Sequence, residues 1–312
     1  MQKMRSLAIA SLFVLSVGHA TLVQEKFAAN PVLADWQILG DTNLFQWNAT
    51  NQNLAVTWDS SRSNSFFHHP LGATFTKADG FCVQFDLNLT DAVATGYFEL
   101  AIGLCKLADV SSPAFSRANF SSPNLVEFDF FPDGPLSYGP SLDATLIDAN
   151  NNLSFSYDDS RALVNGVIYR VVLVHHAGES TLSGTIYTNG QIFTSLPNFR
   201  DYGADNFQLD TLTISSYTTM DDTYGDALLA HGTVDNLAFA SPLPVDKISA
   251  VATGGIQFRS DTNWLYTLEQ SANFKTWTPA APVVRGNGTN LVLQATNVPS
   301  DKSFYRVRAD LP

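Results

Sequence analysis

Charge is what this sequence has least of. Only 15% of its 312 residues are charged, and 17 Lys and Arg face 29 Asp and Glu, a net charge of -12. A surface of that sign repels nucleic-acid phosphates and anionic lipid, which leaves neutral glycans, cations or another protein as partners. Helical periodicity is lacking as well, since residues 30–240 hold no stretch with apolar side chains at the spacing of an amphipathic helix. Beyond the first twenty residues no segment is apolar enough to span a bilayer. No Gly-x-Ser-x-Gly elbow, phosphate-binding glycine loop or dinucleotide fingerprint occurs. His68-His69 and His175-His176 are adjacent pairs, which on a strand point to opposite faces and cannot jointly grip a metal, and His231 stands apart.

What is present is apolar and aromatic. Hydrophobic residues make up 45%, with 22 Phe, 10 Tyr and 5 Trp, a composition suited to pleated, half-buried surfaces. Lys3 and Arg5, an apolar run from Leu7 to Val17 and small residues at Gly18 and Ala20 form a secretory signal, so residues 1–20 are expected to be removed and the product exported. About ten short strands follow up to Phe239, with turn residues between them. Without helices, that many strands are most economically closed as a two-sheet antiparallel sandwich.

The two cysteines fall in adjacent alternating segments, Phe81 to Leu89 and Phe98 to Cys105. Read as a hairpin with Leu89 opposite Phe98, one register aligns both apolar faces and sets Cys82 against Cys105. In an oxidising compartment that pair is expected as a disulfide; the alternative is two free thiols packing as small apolar groups. Ser241-Pro242-Leu243-Pro244 interrupts the pattern, since paired prolines suit a linker. The organisation expected is a sandwich over 21–241, a linker over 242–249 and a small second β unit over 250–312.

Glu127-Phe128-Asp129-Phe130-Phe131-Pro132, the strand Phe81 to Leu89 and the closing His231-Gly232-Thr233-Val234-Asp235-Asn236-Leu237 resemble secreted jelly-roll proteins of the concanavalin-A-like lectin and glucanase superfamily. The resemblance implies a jelly-roll fold and a glycan partner. Tyr266-Thr267-Leu268-Glu269-Gln270-Ser271, Trp277-Thr278 and Phe304-Tyr305-Arg306-Val307 resemble the C-terminal β-sandwich module of exported Verrucomicrobia proteins, which implies a bacterial, extracytoplasmic setting and no chemistry.

On a strand, Glu127 and Asp129 share one face, roughly 6–7 Å apart, while Phe128 and Phe130 turn to the core. Retaining glycosidases use two carboxylates at a comparable separation. The laminarinase-like catalytic strand carries a further Glu, where this chain has Phe131 and Pro132; Glu127 and Asp129 therefore match only part of that site. Asp221, Asp222, Asp226 and Asp235 could supply oxygen ligands to a structural calcium ion, or stand as solvated turn residues. Trp36, Trp47, Trp58, Tyr138, Tyr202, Tyr217 and Tyr224 are the aromatic candidates for stacking on a sugar ring. The expected function is a secreted carbohydrate-binding protein without catalysis of its own; a laminarinase-type glycoside hydrolase or a structural extracellular protein are the alternatives.

Overall fold

The computed structural model describes residues 21–133, 139–220, 225–243, 245, 247–251, 255–272, 277–296 and 303–310. Two eight-stranded antiparallel sheets build the main unit. The first contains β13 (Gln191–Thr194), β12 (Leu182–Thr188), β11 (Ile168–His175), β6 (Phe81–Thr95), β16 (Ala227–Ser241), β4 (Asn53–Asp59) and β3 (Phe45–Asn48) in that order, with β1 (Thr21–Glu25) paired to the far half of β16. The second runs β14 (Asn198–Asp201), β10 (Leu153–Asp158), β9 (Ser141–Ile147), β8 (Leu125–Phe131), β7 (Leu100–Cys105), β15 (Gln208–Ser216), β5 (Ser65–Thr76) and β2 (Gln37–Leu39). No described helix is long and apolar enough to cross a membrane.

The core lies between the sheets. Phe81, Val83, Phe85 and Leu87 of β6 point inward and meet Leu100, Ile102 and Leu104 of β7 and Val126, Phe128 and Phe130 of β8, all fully or almost fully buried. Phe85 and Phe128 touch edge to face with centroids 5.8 Å apart. At roughly 25 cal/mol per Å² of apolar surface, each such ring contributes on the order of 2–3 kcal/mol to the fold.

The expected β6–β7 hairpin does not form. β6 pairs with β11 and β16, and β7 pairs with β8 and β15, so the two lie in different sheets. The matched alternation that suggested edge-to-edge pairing is satisfied instead by face-to-face packing. Cys82 and Cys105 alternate with the inward residues and therefore point away from each other, with about 10 Å of sheet separation between their strands. Both are free, buried thiols, and the predicted disulfide is absent.

The remaining strands form a smaller unit. β17 (Ser249–Ala250), β18 (Gly255–Arg259) and β22 (Asn290–Gln294) make one sheet; β19 (Leu265–Ser271), β20 (Thr278–Pro279), β21 (Val284–Arg285) and β23 (Phe304–Asp310) make another. Phe258, Trp264, Tyr266, Leu268 and Leu293 form its core, joined through Leu243 to Cys82 and Ala240 on the outer side of the first sheet. Ion pairs hold it together: Glu269 receives Arg306 at 2.7 Å and Arg308 at 2.5 Å, and the Arg306 guanidinium lies 4.4 Å over the Trp277 ring.

Candidate active and binding face

The outer face of the second sheet collects the polar residues. Antiparallel registers place side chains in rows across it: Asp143 of β9 opposite Asp129 of β8, which is opposite Ala101 of β7; one row up, Thr145, Glu127 and Gly103. Glu127 and Asp129 share this face, as the strand period requires, while Phe128 and Phe130 enter the core.

Half of the face is roofed. The segment 106–124 crosses it after a short helix, α1 (Leu107–Val110), and Phe115 packs against Phe66 and Tyr217. Leu107 N–H donates to Asp210 and the Asn124 side chain donates to Asp109, which ties down both ends. Under this roof Arg117 reaches three carboxylates. Its Nη2 donates to Asp129 Oδ2 at 3.2 Å, and its Nε lies 3.7 Å from Glu127 Oε2. Nε is also 2.9 Å from Glu99 Oε1, an ion-pair distance, although its N–H is not aimed along that line and makes no hydrogen bond. The Tyr217 hydroxyl donates to Glu127 Oε1.

Glu99 is the member that sequence reasoning missed. It lies 28 residues before Glu127 and reaches it only because β7 and β8 are neighbours. With Asp143 beside Asp129, four carboxyls surround one guanidinium, a net -3 if all were ionised. A water-poor site does not hold that charge, so protons stay on. Burial pushes the Glu99 and Asp143 carboxyls each up to about 7, offset in part by Arg117 and by the Ser141 hydroxyl respectively. Burial likewise raises Glu127, whose neighbour Asp129 adds to the effect, and raises Asp129 itself against the pull of Arg117. Glu127 Oε2 and Asp129 Oδ1 have no hydrogen-bond partner. Both residues have no solvent exposure, so neither meets a substrate while the roof is in place.

The edge of the face is open, over β10 and β14, while every residue of β9 is buried. Here β10 reverses the usual alternation: Ser154, Ser156 and Asp158 are buried, while Leu153, Phe155 and Tyr157 turn outward and remain partly exposed. Register sets Arg200 opposite Phe155 and Asn198 opposite Tyr157, and Tyr202 N–H bonds to Leu153 O at 2.8 Å. On the inner side Thr145 lies opposite Phe155 and Asp143 opposite Tyr157. The Phe155 ring is 5.4 Å from Tyr157 and 6.5 Å from Tyr202. The product is an aromatic floor bordered on its outer side by the exposed amide of Asn198 and guanidinium of Arg200.

The other sequence candidates scatter. Trp36 and Trp58 are buried, Tyr217 is enclosed beneath the roof, and Trp47 is half-buried with its indole N–H donating to Phe27 O. Trp58 is turned inward by β4, and Trp36, just before β2, stacks on Phe67 at 4.7 Å. Tyr202 is 64% exposed and belongs to the floor. Tyr138, Tyr224, Asp221 and Asp222 lie outside the described residues, as do residues 1–20, where the secretory signal is expected. Asp226 directly precedes β16 near Thr95, and Asp235 lies within β16 opposite Asp86, well along an extended strand, so they do not share a site, and no metal-holding group occurs among the described residues. His175 is buried with its ring nitrogens 2.9 Å from Asp79 O and 2.8 Å from Glu179 O, which stitches two turns together. A separate cleft of about 680 Å³ lies between the first sheet and the smaller unit. Its charged walls pair with each other or with Glu269: Arg170 with Asp86, Arg308 with Asp310 and Glu269, Arg306 with Glu269.

No family model and no curated protein matches the chain. Among solved structures it is similar to peanut lectin with a nine-residue peptide, at 12% identity and a TM-score of 0.43 over 70% of this chain and 99% of that one. It is similar also to lectin II from Ulex europaeus, at 16% and 0.43 over 72% and 99%, and to the alginate lyase Aly36B, at 10% and 0.34 over 70% and 96%.

Proposed function

We propose that this chain is an exported carbohydrate-binding protein, and that its sugar site is the open edge of the second sheet's outer face. The observation that carries this is the reversal in β10. A strand that buries Ser154 and Ser156 and leaves Phe155 and Tyr157 at the surface gives up apolar burial, and the aromatic faces so displayed suit the apolar face of a pyranose ring. Asn198 and Arg200, exposed on the neighbouring strand, stand beside them and can hydrogen-bond ring hydroxyls. Export rests on the amino-terminal charge and apolar pattern.

Affinity electrophoresis through gels containing laminarin, barley β-glucan, xylan or galactomannan, with a pull-down on cellulose, tests the site. Retention is expected on at least one of them, with a loss of roughly tenfold or more in Tyr157→Ala, since stacking rings carry 1–3 kcal/mol each. Retention on none, or retention indifferent to both Phe155→Ala and Tyr157→Ala, sinks the assignment.

One observation favours a second reading, glycoside cleavage. Glu99 supplies the carboxyl missing from the Glu127 strand, and burial holds it up to about 7, in the range of a general acid. The roof would have to lift first. Reducing ends released from the same polysaccharides, and abolished in Glu127→Gln, would establish it.

A further inference from the structure

We infer that Phe120, at the tip of the roof, is a second wall of this glycan trough; the inference rests on the reading of the open face as a sugar site. Among the described residues three large apolar side chains sit on left-handed backbone, a conformation that L-residues with bulky side chains avoid: Phe27 at φ 50°, Leu196 at φ 42° and Phe120 at φ 55°. In Phe27 and Leu196 the strain is offset by burial, at 0% and 4% exposure. Phe120 is 75% exposed, so burial of its ring does not offset its strain. A bulky residue kept in a strained conformation, with its ring in water, points to a role outside the folded chain.

Its position names the role. Ser116 and Ser121 exchange two backbone hydrogen bonds of 2.9 Å, and Phe120 N–H bonds back to Arg117 O at 3.2 Å, closing a tight hairpin at the end of the roof. One side of this hairpin inserts Arg117 among the carboxylates. Just past the tip, Ser122 N–H donates to the Asn151 side chain at 2.9 Å, in the turn joining β9 to β10. Phe120 is thus three residues from Arg117, which reaches the roofed carboxylates, and two from Ser122, which is tied to the turn leading into the strand that carries Leu153, Phe155 and Tyr157. A polysaccharide strand lying on the floor rings would meet Phe120 along its flank. The ligand class is an unbranched stretch of neutral sugar with apolar pyranose faces, consistent with the chain's net charge of -12.

The experiment compares wild type, Phe120→Asn, Phe120→Tyr and Tyr157→Ala by affinity electrophoresis in whichever of laminarin, barley β-glucan, xylan or galactomannan retards the wild type, with melting temperatures alongside. Asparagine tolerates left-handed backbone, so Phe120→Asn is expected to melt no lower than wild type while its retardation falls fivefold or more; Phe120→Tyr, which keeps the ring, is expected to bind as wild type. If Tyr157→Ala loses retardation and Phe120→Asn keeps it, Phe120 has no part in the site. A melting temperature lowered together with the loss marks Phe120 as a structural residue and also overturns the inference. If the wild type is retarded by no polysaccharide, the glycan reading itself fails, and this one with it.

Discussion

Arg117 is the residue on which most buried charge depends. It is 9% exposed in its side chain, faces Glu99, Glu127 and Asp129, and its charged form is stabilised by all three. Removing one partner from a buried ionic cluster leaves charges uncompensated, at a cost of about 3–5 kcal/mol. Arg117→Gln is accordingly expected to lower stability by that order at pH 8 and by less at pH 5, where the carboxyls can take up protons, as read by urea denaturation at both values. The native protein carries the same signature. Glu99 and Asp143 titrate near 7 when folded, above the ordinary carboxyl range that the unfolded chain returns to. The folded state thus holds protons that the unfolded state releases, so stability is full below about pH 4 for these groups and is lost as pH rises through about 7. Each contributes a slope of about 1.4 kcal/mol per pH unit in that window. Glu99→Gln, which cannot titrate, is expected to flatten the urea midpoint between pH 5 and 7, and an unchanged slope would show that Glu99 is ionised in the fold.

At the scale of elements, the roof and the central strands constrain each other. Gly103 of β7 lies opposite Glu127, and a methyl group there would come within 2.0 Å of Val126 O, a backbone atom that cannot swing aside. Gly103→Ala is expected to force β7 from β8, destabilising by about 1–3 kcal/mol and lowering the melting temperature, with the carboxylate cluster disturbed alongside. A melting curve superimposable on wild type would mean that the strands separate without cost. The strand pattern of the sequence located β8 correctly and gave Glu127 and Asp129 their common face. It misplaced the neighbours of β6 and β7, because alternation records which side chains face the core and not which strand lies alongside. The floor on β10 escaped notice because the alternation of Leu-Ser-Phe-Ser-Tyr does not say which of its two faces meets the core, and only its place near the sheet edge shows the aromatics outward.

For the whole molecule, the two sheets keep Cys82 and Cys105 on opposite outer sides. Cys82 is pushed up to about 12 by burial, and burial, with the nearby Glu127, also holds Cys105 well above the ordinary thiol range. Neither thiol is expected to react with a disulfide reagent in the native protein, two equivalents should react on unfolding without reductant, and reductant should leave the melting temperature unchanged. Fewer than two equivalents from the unfolded chain would contradict the separation of the cysteines. Composition and period by themselves determined an all-β chain, its inward and outward positions along each central strand and the charge sign of its surface, because these depend on side-chain chemistry and local backbone geometry. Tertiary structure alone decided that Glu99 joins Glu127 and Asp129, that Arg117 closes over them, and that Phe155, Tyr157 and Tyr202 form one surface. Those groups are distant in the chain and meet only through strand order, which is fixed by how two whole sheets bury their faces against each other.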